Sequence, residues 1–483
     1  MGSEVLEFKD VASHLIYLVS VVVFMLGIMR MSRVKTARWG NQMAAGAMFL
    51  ACIGQAIELG MVNWTFIIVG VVVGGLVGGL AASRVEMTEM PEMVALFNGS
   101  GGIASSLVAI ASYMLLVETR TPQQANVADQ ITAFNGVALG LTILVGAITF
   151  TGSIVAWGKL SGRLSGNPTL LPGRHLINGA LFLAAFGATG VMIFTPDPQQ
   201  GLMALVVICV TTCLLGIGLV IPIGGGDMPV VISLLNSYSG MAAALAGFTI
   251  NSPVLIVSGS MVGAAGLILT QIMCKAMNRS LMNVLIGGFG QSDGAGSNED
   301  ARLYTNVKRA DAEEAAMILE DARTVIVVPG YGMAVAQAQH AVREMADLLG
   351  DRGCQVRYAI HPVAGRMPGH MNVLLAEADV PYEAQVEMER INKDFKNTDV
   401  AIVIGANDVV NPVANTDTTS PIYGMPVLNV EEAGTVFVIK RSLSPGYAGI
   451  RNPLFEAENT LMLFGDGKAM VEGMSTALKE ADD

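Results

Sequence analysis

The chain has 483 residues, 52% hydrophobic and 14% charged, with a formal net charge of −12; ordinary soluble domains carry roughly 25% charged residues, so a chain soluble throughout is excluded. Residues 1–280 hold 12 Lys+Arg and 11 Asp+Glu, whereas residues 281–483 hold 16 and 29. An apolar, nearly uncharged first part and an acidic second part imply a membrane domain followed by a soluble one, and exclude a basic nucleic-acid-binding surface.

Nine apolar runs are long enough to span, at 12–29, 40–58, 62–82, 91–116, 133–157, 174–194, 200–222, 227–249 and 253–275, since about 20 residues cross the hydrocarbon core. The first has no basic region before it and no small-residue cleavage pattern, so it reads as a spanning helix rather than a signal peptide. All nine are rich in Gly, Ala and Ser. Gly70, Gly74, Gly75, Gly78 and Gly79 share one run, where small residues suit close helix packing. Arg30, Arg33, Lys35 and Arg38, then Lys159, Arg163 and Arg174, then Lys275 and Arg279 mark one side of the membrane. Glu118, Asp129 and Asp197, with Arg120 the lone base, mark the other. The positive-inside rule then puts the N-terminus outside and the C-terminal domain in the cytoplasm.

Polar residues inside the spans are amides and hydroxyls: Asn98, Asn135, Asn178 and Asn236, with Ser100, Ser105 and Ser237. Two readings stay open, helix–helix hydrogen bonds or the lining of a hydrated path. Two polar segments, Val85–Glu92 and Gly224–Gly240, set acids and a proline at the mouth of a helix. Pro91 and Pro229 suit a first helical turn, where acids favour the dipole. The cysteines are Cys52, Cys209, Cys213, Cys274 and Cys354; their placement gives neither a disulfide framework nor a metal site, and no metal is expected.

Residues 281–310 read as a linker, Gly-rich and flexible from Gly288. A short helix at Asp311–Arg323 leads to Val325-Ile-Val-Val-Pro-Gly330-Tyr-Gly332. This is a strand, a tight Gly turn and a helix running to Leu349. Free helix N–H groups at such a junction suit phosphate, although glycines there also serve as plain turn punctuation. The spacing is G-x-G-x-x-V, with Val335 at the third small position. Further apolar runs at Gln355–Ile360, Val400–Ile404, Val427–Val430, Val436–Ile439 and Thr460–Phe464 alternate with helical segments. The alternation predicts a Rossmann-like α/β domain with a mostly parallel sheet over residues 311–483. Ligands lie beyond the carboxyl ends of such strands. The loops there hold His361–His370, Gly405–Pro412, Lys440-Arg441 and Pro445–Gly449. The second strand ends without the acid that grips an NAD ribose, and Lys440-Arg441 suits a 2′-phosphate, so the residues favour NADP.

The stretches Pro329–Gln339, His361–Asn372, Gly405–Asp408, Lys440-Arg441 and Gly446–Gly449 resemble the NADP(H)-binding domain of the proton-translocating NAD(P) transhydrogenases. Val85–Glu92, Asp227–Gly240 and Met273–Ser280 resemble the membrane part of that family's beta subunit. The resemblance implies residues 1–280 as a transmembrane proton-channel domain in the bacterial inner membrane. It implies hydride transfer between NADH on a partner alpha subunit and NADP+ on this chain, coupled to proton translocation, in a dimer of such assemblies embedded in lipid. The alpha subunit carries the NAD(H) domain and additional membrane helices. Hydride passes directly between nicotinamides, so no catalytic side chain is expected. Gly330, Tyr331, Gly332, Met333, Ala334, Val335, Gly365, Arg366, Met367, Pro368, Gly369, Gly405, Ala406, Asn407 and Asp408 would line the cofactor. Lys440 and Arg441 would hold the 2′-phosphate, and Tyr447 would sit in a closing loop. Asn98, Asp227, Asn236 and Arg279 would belong to the proton path or its coupling. Some family members carry a relay histidine where this chain has Asn98, which implies either a relay histidine on a membrane helix of the partner chain, the preferred reading, or waters that carry the proton past Asn98. The competing reading is a transporter or channel regulated by a cytoplasmic NADP-sensing domain; the T-V-G-Y-G filter of potassium channels is absent from the sequence.

Overall fold

The computed structural model describes residues 8–31, 34–59, 64–118, 133–195, 197–286 and 304–481. Arg33, Arg120, Asp129 and residues 287–303 of the expected linker lie outside them. The chain divides into two units, Met1–Pro222 with Val231–Ile268, and Ile223–Val230 with Leu269–Asp483.

The first part is helical: α1 (Phe8–Met31), α2 (Val34–Leu59), α3 (Trp64–Arg84), α4 (Met90–Glu118), α5 (Ala133–Leu160), α6 (Arg174–Phe194), α7 (Pro198–Val220), α8 (Met228–Thr249) and α9 (Pro253–Ala276). Eight of these are long and apolar enough to cross a membrane over their described residues. The one left out is α2, whose apolar run is interrupted by Gln42, Gln55 and Glu58. Pro91 and Pro229 each stand second in their helices, α4 and α8, where a missing N–H costs nothing.

Small residues set the contact between α4 and α5. A side chain on Gly146 would lie 2.4 Å from the Gly102 carbonyl oxygen, so only hydrogen fits there. The glycines of α3 behave differently. A Cβ at Gly70, Gly74, Gly75, Gly78 or Gly79 would meet nothing within 4 Å, and no α3 residue is buried. The close packing expected of them is therefore not made by the described residues of this chain.

The second unit contains α10 (Leu281–Ile286), α11 (Ala312–Glu320), β1 (Thr324–Pro329), α12 (Tyr331–Val335), α13 (Gln339–Asp351), β2 (Gln355–Ile360), α14 (His370–Glu377), β3 (Gln385–Glu387), α15 (Met388–Ile391), β4 (Val400–Ile404), α16 (Val413–Thr416), β5 (Thr435–Lys440), β6 (Thr460–Phe464) and α17 (Gly467–Glu480). The strands form one sheet in the order β3-β2-β1-β4-β5-β6, every pair parallel. Val325, Ile326, Val327 and Val328 are all fully buried, because β1 lies mid-sheet with helices over both faces; each such side chain contributes about 1.5–3 kcal/mol. This is the expected Rossmann-like domain.

Three details depart from the sequence reading. Val427–Val430 is not a strand. Both edges of β4 are already taken by β1 and β5, so Val427 and Leu428 enter the core from a loop, and Leu428 N–H reaches the Val409 carbonyl at 2.9 Å. The sixth strand is instead the three-residue β3, paired with β2 at Tyr358↔Gln385. The helix after the Gly turn is also broken. It ends at Val335 with Gln337 left-handed at φ 48°. Gln337 N–H bonds the Ala334 carbonyl and Ala338 N–H the Met333 carbonyl, which is the Schellman pattern of a helix end. A second helix, α13, then runs through Gly350 to Asp351.

The expected linker is shorter at its C-terminal end. Tyr304–Ala310 runs beside β6: Met462 N–H donates to the Lys308 carbonyl at 2.8 Å, and Ala310 N–H to the Met462 carbonyl at 3.1 Å. Its start is also ordered, as α10.

Candidate functional site

The strand order reverses between β1 and β4, and the loops after these strands meet backbone to backbone. Gly330 N–H donates to the Ile404 carbonyl at 2.9 Å, and Gly332 N–H to the Gly405 carbonyl at 3.0 Å. A Cβ on Gly330 would stand 2.5 Å from both Ala406 N and Gly405 O. Gly405 itself is left-handed, at φ 63°, and faces Gly332 Cα. The expectation of an ordinary phosphate cradle at the first turn is corrected here. The N–H groups of Gly330, Gly332 and Met333 are already spent on Ile404, Gly405 and Gly330 carbonyls, and α12 spans only five residues. What the glycines provide is close approach of two loops.

Around that seam the other expected residues fall into three groups. Met333, Ala334, Met367 and Ala406 are buried, at most 6% exposed, and belong to the packing beneath the loops. Val335 is exposed, as are Gly369 and Arg441, while Gly365 and Pro368 are half-buried. Gly365 is left-handed at φ 109° and Gly369 at φ 70°, so the loop between them turns sharply.

The second group joins three loops. The Arg366 guanidinium lies 4.2 Å from the centre of the Tyr331 ring, and Arg366 Nε donates to the Tyr447 hydroxyl at 3.1 Å. Tyr331 comes from the loop after β1, Arg366 from that after β2 and Tyr447 from that after β5. Arg366 N–H also donates to His370 Nδ1 at 3.0 Å, which orders the Gly365–Gly369 turn from within.

The third group is polar. Asp408 accepts the Ala448 N–H at 3.0 Å. Burial raises its carboxyl above the usual range, against the opposing pull of the Ala448 N–H and the Lys440 ammonium. The Lys440 ammonium donates to the Ser444 carbonyl at 2.9 Å and lies 4.7 Å from the centre of the Phe455 ring. Burial pulls its pKa down to about 8, partly offset by Asp408. With its amide turned to meet its donors, the Asn407 side-chain oxygen accepts from Gly446 N–H at 2.7 Å and from Lys440 Nζ at 3.2 Å. Asp408, Asn407 and Lys440 thus hold the Ser444–Ala448 loop against the carboxyl end of β4.

His361 stands at the rim of this crevice, 2% exposed. Its Nε2 lies 2.8 Å from the Pro426 carbonyl and its Nδ1 accepts the Val363 N–H at 3.2 Å. A carbonyl can only accept, so Nε2 carries the proton. Burial lowers the imidazole pKa to about 4. The sequence reading also passed over Asn452, fully buried, whose Nδ2 donates to the Asn407 carbonyl at 3.2 Å. The Asn452-Pro453 pair was its available signal: Asn452 caps the turn Pro453–Glu456, and such pairs initiate turns.

The membrane residues form two separate pairs. In one unit, Asn236 Nδ2 donates to Asn98 Oδ1 at 3.1 Å, and Asn98 Nδ2 to the Ile232 carbonyl at 3.2 Å. In the other, Arg279 Nη1 donates to both carboxylate oxygens of Asp227 at 2.9 Å. The serine hydroxyls bond helix carbonyls: Ser100 to Leu96, Ser105 to Gly101, and Ser237 to Gly263 on α9. Asn178 likewise bonds Gly218 on α7. Ser237, Asn178 and the Asn98–Asn236 pair thus bond between helices, whereas Ser100 and Ser105 bond carbonyls of their own helix, α4. Among the described residues no cluster of His, Cys, Asp or Glu could hold a metal ion.

Comparison with known proteins agrees with this arrangement over both parts of the chain. The family described as NAD(P) transhydrogenase beta subunit matches residues 13–477. Two relatives, each named NAD(P) transhydrogenase subunit beta, come from Rhodospirillum rubrum and from a defined strain of that species. Each is 48% identical over 464 residues, covering 96% of this chain and 98% of the relative.

Proposed function

The chain belongs to the NAD(P) transhydrogenase beta-subunit family, and from that premise we propose that it binds NADP(H) in the crevice above β1, β4 and β5. It is then one half of a hydride-transfer pair. NAD(H) is carried by an alpha subunit with further membrane helices, and the two together couple hydride transfer to proton movement into the cytoplasm. The observation that carries the reading is the convergence of Tyr331, Arg366 and Tyr447 from three different loops, beside Lys440.

The residues fit such a nucleotide. Gly330, Gly332 and Gly405 let the loops after β1 and β4 close on each other where any Cβ would collide, and so would set those loops for the cofactor. Met333, Ala334, Met367 and Ala406 are buried and would support those loops from beneath. Lys440 and the exposed Arg441 would hold a 2′-phosphate, and Arg366 would hold a phosphate once released from Tyr447. Strand β2 ends at Ile360 and His361 follows, where an acid would select the ribose of NAD. The nicotinamide supplies the hydride chemistry, and the protein supplies position and exclusion of water. Tyr447, in a loop hinged between Pro445 and Gly449, would cover the site.

The protein is an integral membrane protein, and the positive-inside pattern supports an N-terminus outside and a cytoplasmic nucleotide domain in a bacterial inner membrane. Asn98, Asn236, Asp227 and Arg279 are assigned to the proton path or its coupling. Asparagine cannot hold a travelling proton, so the relay histidine is assigned to the partner chain. The assembly is taken as a dimer of alpha–beta units. The test is co-purification of this chain with its membrane partners, then hydride exchange between NADH and an NADP+ analogue in sealed vesicles. Exchange with acidification or alkalinisation of the lumen is expected; exchange without proton movement would overturn the coupling.

A further inference from the structure

Tyr304 is the first described residue after the connecting stretch, and its side chain reaches toward the nucleotide crevice by two routes. Its ring packs on Phe455 with centroids 6.0 Å apart. Phe455 is fully buried and carries the Lys440 ammonium at 4.7 Å from its centre. The Tyr304 hydroxyl also accepts the Asn452 N–H at 2.9 Å. Asn452 in turn donates from its side chain to the Asn407 carbonyl, and the Asn407 amide oxygen receives Lys440 Nζ. Both routes end on the same ammonium.

The strap that brings Tyr304 here is fastened without its side chain. Thr305 N–H and Asn306 N–H donate to Glu456 Oε1 at 2.7 and 3.1 Å. Glu456 pairs with Arg451. Lys308 and Ala310 bond Met462 on β6. Removing the tyrosine hydroxyl therefore leaves these strap bonds in place and takes away the support it gives to Asn452.

We propose that Tyr304 is a positioning residue for the 2′-phosphate end of the nucleotide site, setting the place of Lys440 through Phe455 and through Asn452–Asn407. The proposal rests on the reading of the crevice as the NADP(H) site. A cation held by a ring face and by an amide oxygen keeps one geometry, and a displaced cation loses the phosphate it was set to meet. The residue thereby discriminates NADP(H) from NAD(H), which lacks that phosphate.

The test uses the full chain purified in detergent, with NADPH and NADH binding measured by titration calorimetry. For Tyr304→Phe we expect NADPH to bind about tenfold more weakly, the loss of one charge-assisted contact to the 2′-phosphate, with NADH binding unchanged. Tyr304→Ala should lose more. In a Lys440→Ala background, Tyr304→Phe should have no further effect on the NADPH/NADH ratio, because both changes act on one contact. The unfolding temperature of nucleotide-free Tyr304→Phe should fall by about 2–4 °C, since the buried Asn452 N–H loses its acceptor, and NADH binding is the control for that loss. An unsubstituted chain that binds NADH but shows no preference for NADPH overturns the nucleotide reading. A chain that prefers NADPH, and whose Tyr304→Phe variant keeps that preference, overturns the positioning role alone. Equal losses for NADPH and NADH reduce Tyr304 to a structural strap and also overturn it.

Discussion

Asn236 hands its amide N–H to the Asn98 oxygen at 3.1 Å, and Asn98 hands its own to the Ile232 carbonyl at 3.2 Å. One amide on α4 is thereby fastened twice to α8. Such bonds between membrane helices are worth about 0.6–2 kcal/mol each. Replacing Asn98 with Ala removes both. In the assembled enzyme in sealed vesicles, Asn98→Ala is expected to lower proton pumping while leaving NADPH affinity in detergent unchanged. Undiminished pumping would remove Asn98 from the proton path and leave it a helix fastener.

Gly330 sets the second expectation. Its absent side chain would meet Ala406 N and Gly405 O at 2.5 Å, and neither atom can retreat because the backbone there is bonded into the seam. Gly330→Val must separate the loops after β1 and β4. Overpacking of this kind costs about 1–3 kcal/mol in a core, and here the displaced atoms are the site itself. NADPH affinity should fall about a hundredfold or more, by the same steric argument, while circular dichroism keeps its helical amplitude. A variant with normal affinity would show that the crevice is not at this seam.

The sequence announced those parts of the site whose cause is local. Val325–Val328 is an unbroken β-branched run because β1 is covered on both faces, and Pro329-Gly330 marks its end whatever the surroundings. Lys440-Arg441 is legible as two adjacent cations at the end of an apolar run, which is where β5 ends. The break at Gln337 could not, since glutamine does not advertise a left-handed backbone. The seam bond from Gly332 N–H to Gly405 fixes where α12 begins, and a distant loop imposes that. Val427-Leu428 has the composition of a strand, but no sheet edge remains for it. Gln385–Glu387 has a free edge and polar residues that do not suggest one. Tyr304 lay at the end of a Gly-rich polar stretch, and its value depends on Phe455 and Asn452, some 150 residues away.

His361 should leave its mark on acid stability. Its folded pKa is lowered to about 4, and that of the unfolded chain is about 6.5. Between these values the unfolded chain takes up a proton that the folded one refuses. Stability is therefore fully present above about pH 6.5 and lost as pH falls toward about 4, by on the order of 3 kcal/mol. Urea unfolding across this range should show the loss in the unsubstituted chain and a flatter profile in His361→Gln. Parallel profiles would mean that the imidazole titrates normally in the fold.

Arg279 holds both oxygens of Asp227 through one nitrogen, with side chains 27% and 11% exposed. Breaking such a pair from one side leaves a partly buried charge, at a cost of about 3 kcal/mol or more. Asp227→Ala should lower the unfolding temperature more than the double variant Asp227→Asn with Arg279→Gln, which leaves no lone charge. If the double variant is the less stable, the pair contributes more than its own neutralisation.

Lys440 gives a second pH dependence, in a higher range than that of His361. Its ammonium is pulled down to about 8, from an unfolded value of about 10.4. Below about 8 the folded chain keeps the cation that a 2′-phosphate needs; above it the site turns neutral. NADP+ affinity should therefore fall as pH rises through about 8, approaching tenfold per pH unit, while NAD+ affinity stays level. Binding above that pH should take up a proton, since the incoming dianion restores the ammonium. The nucleotide-free fold moves the other way: from about pH 8 to about 10.4 the unfolded chain still holds a proton the folded one has lost, so stability rises with pH. Lys440→Arg keeps its charge throughout; its NADP+ affinity should be lower, because a larger, planar guanidinium replaces the ammonium held at Phe455 and Asn407, but flat with pH. Calorimetric titrations of both chains from about pH 7 to about pH 10, in two buffers of different ionisation enthalpy, read affinity and proton uptake together. A fall in NADP+ affinity of the same steepness in Lys440→Arg would move the titrating group elsewhere.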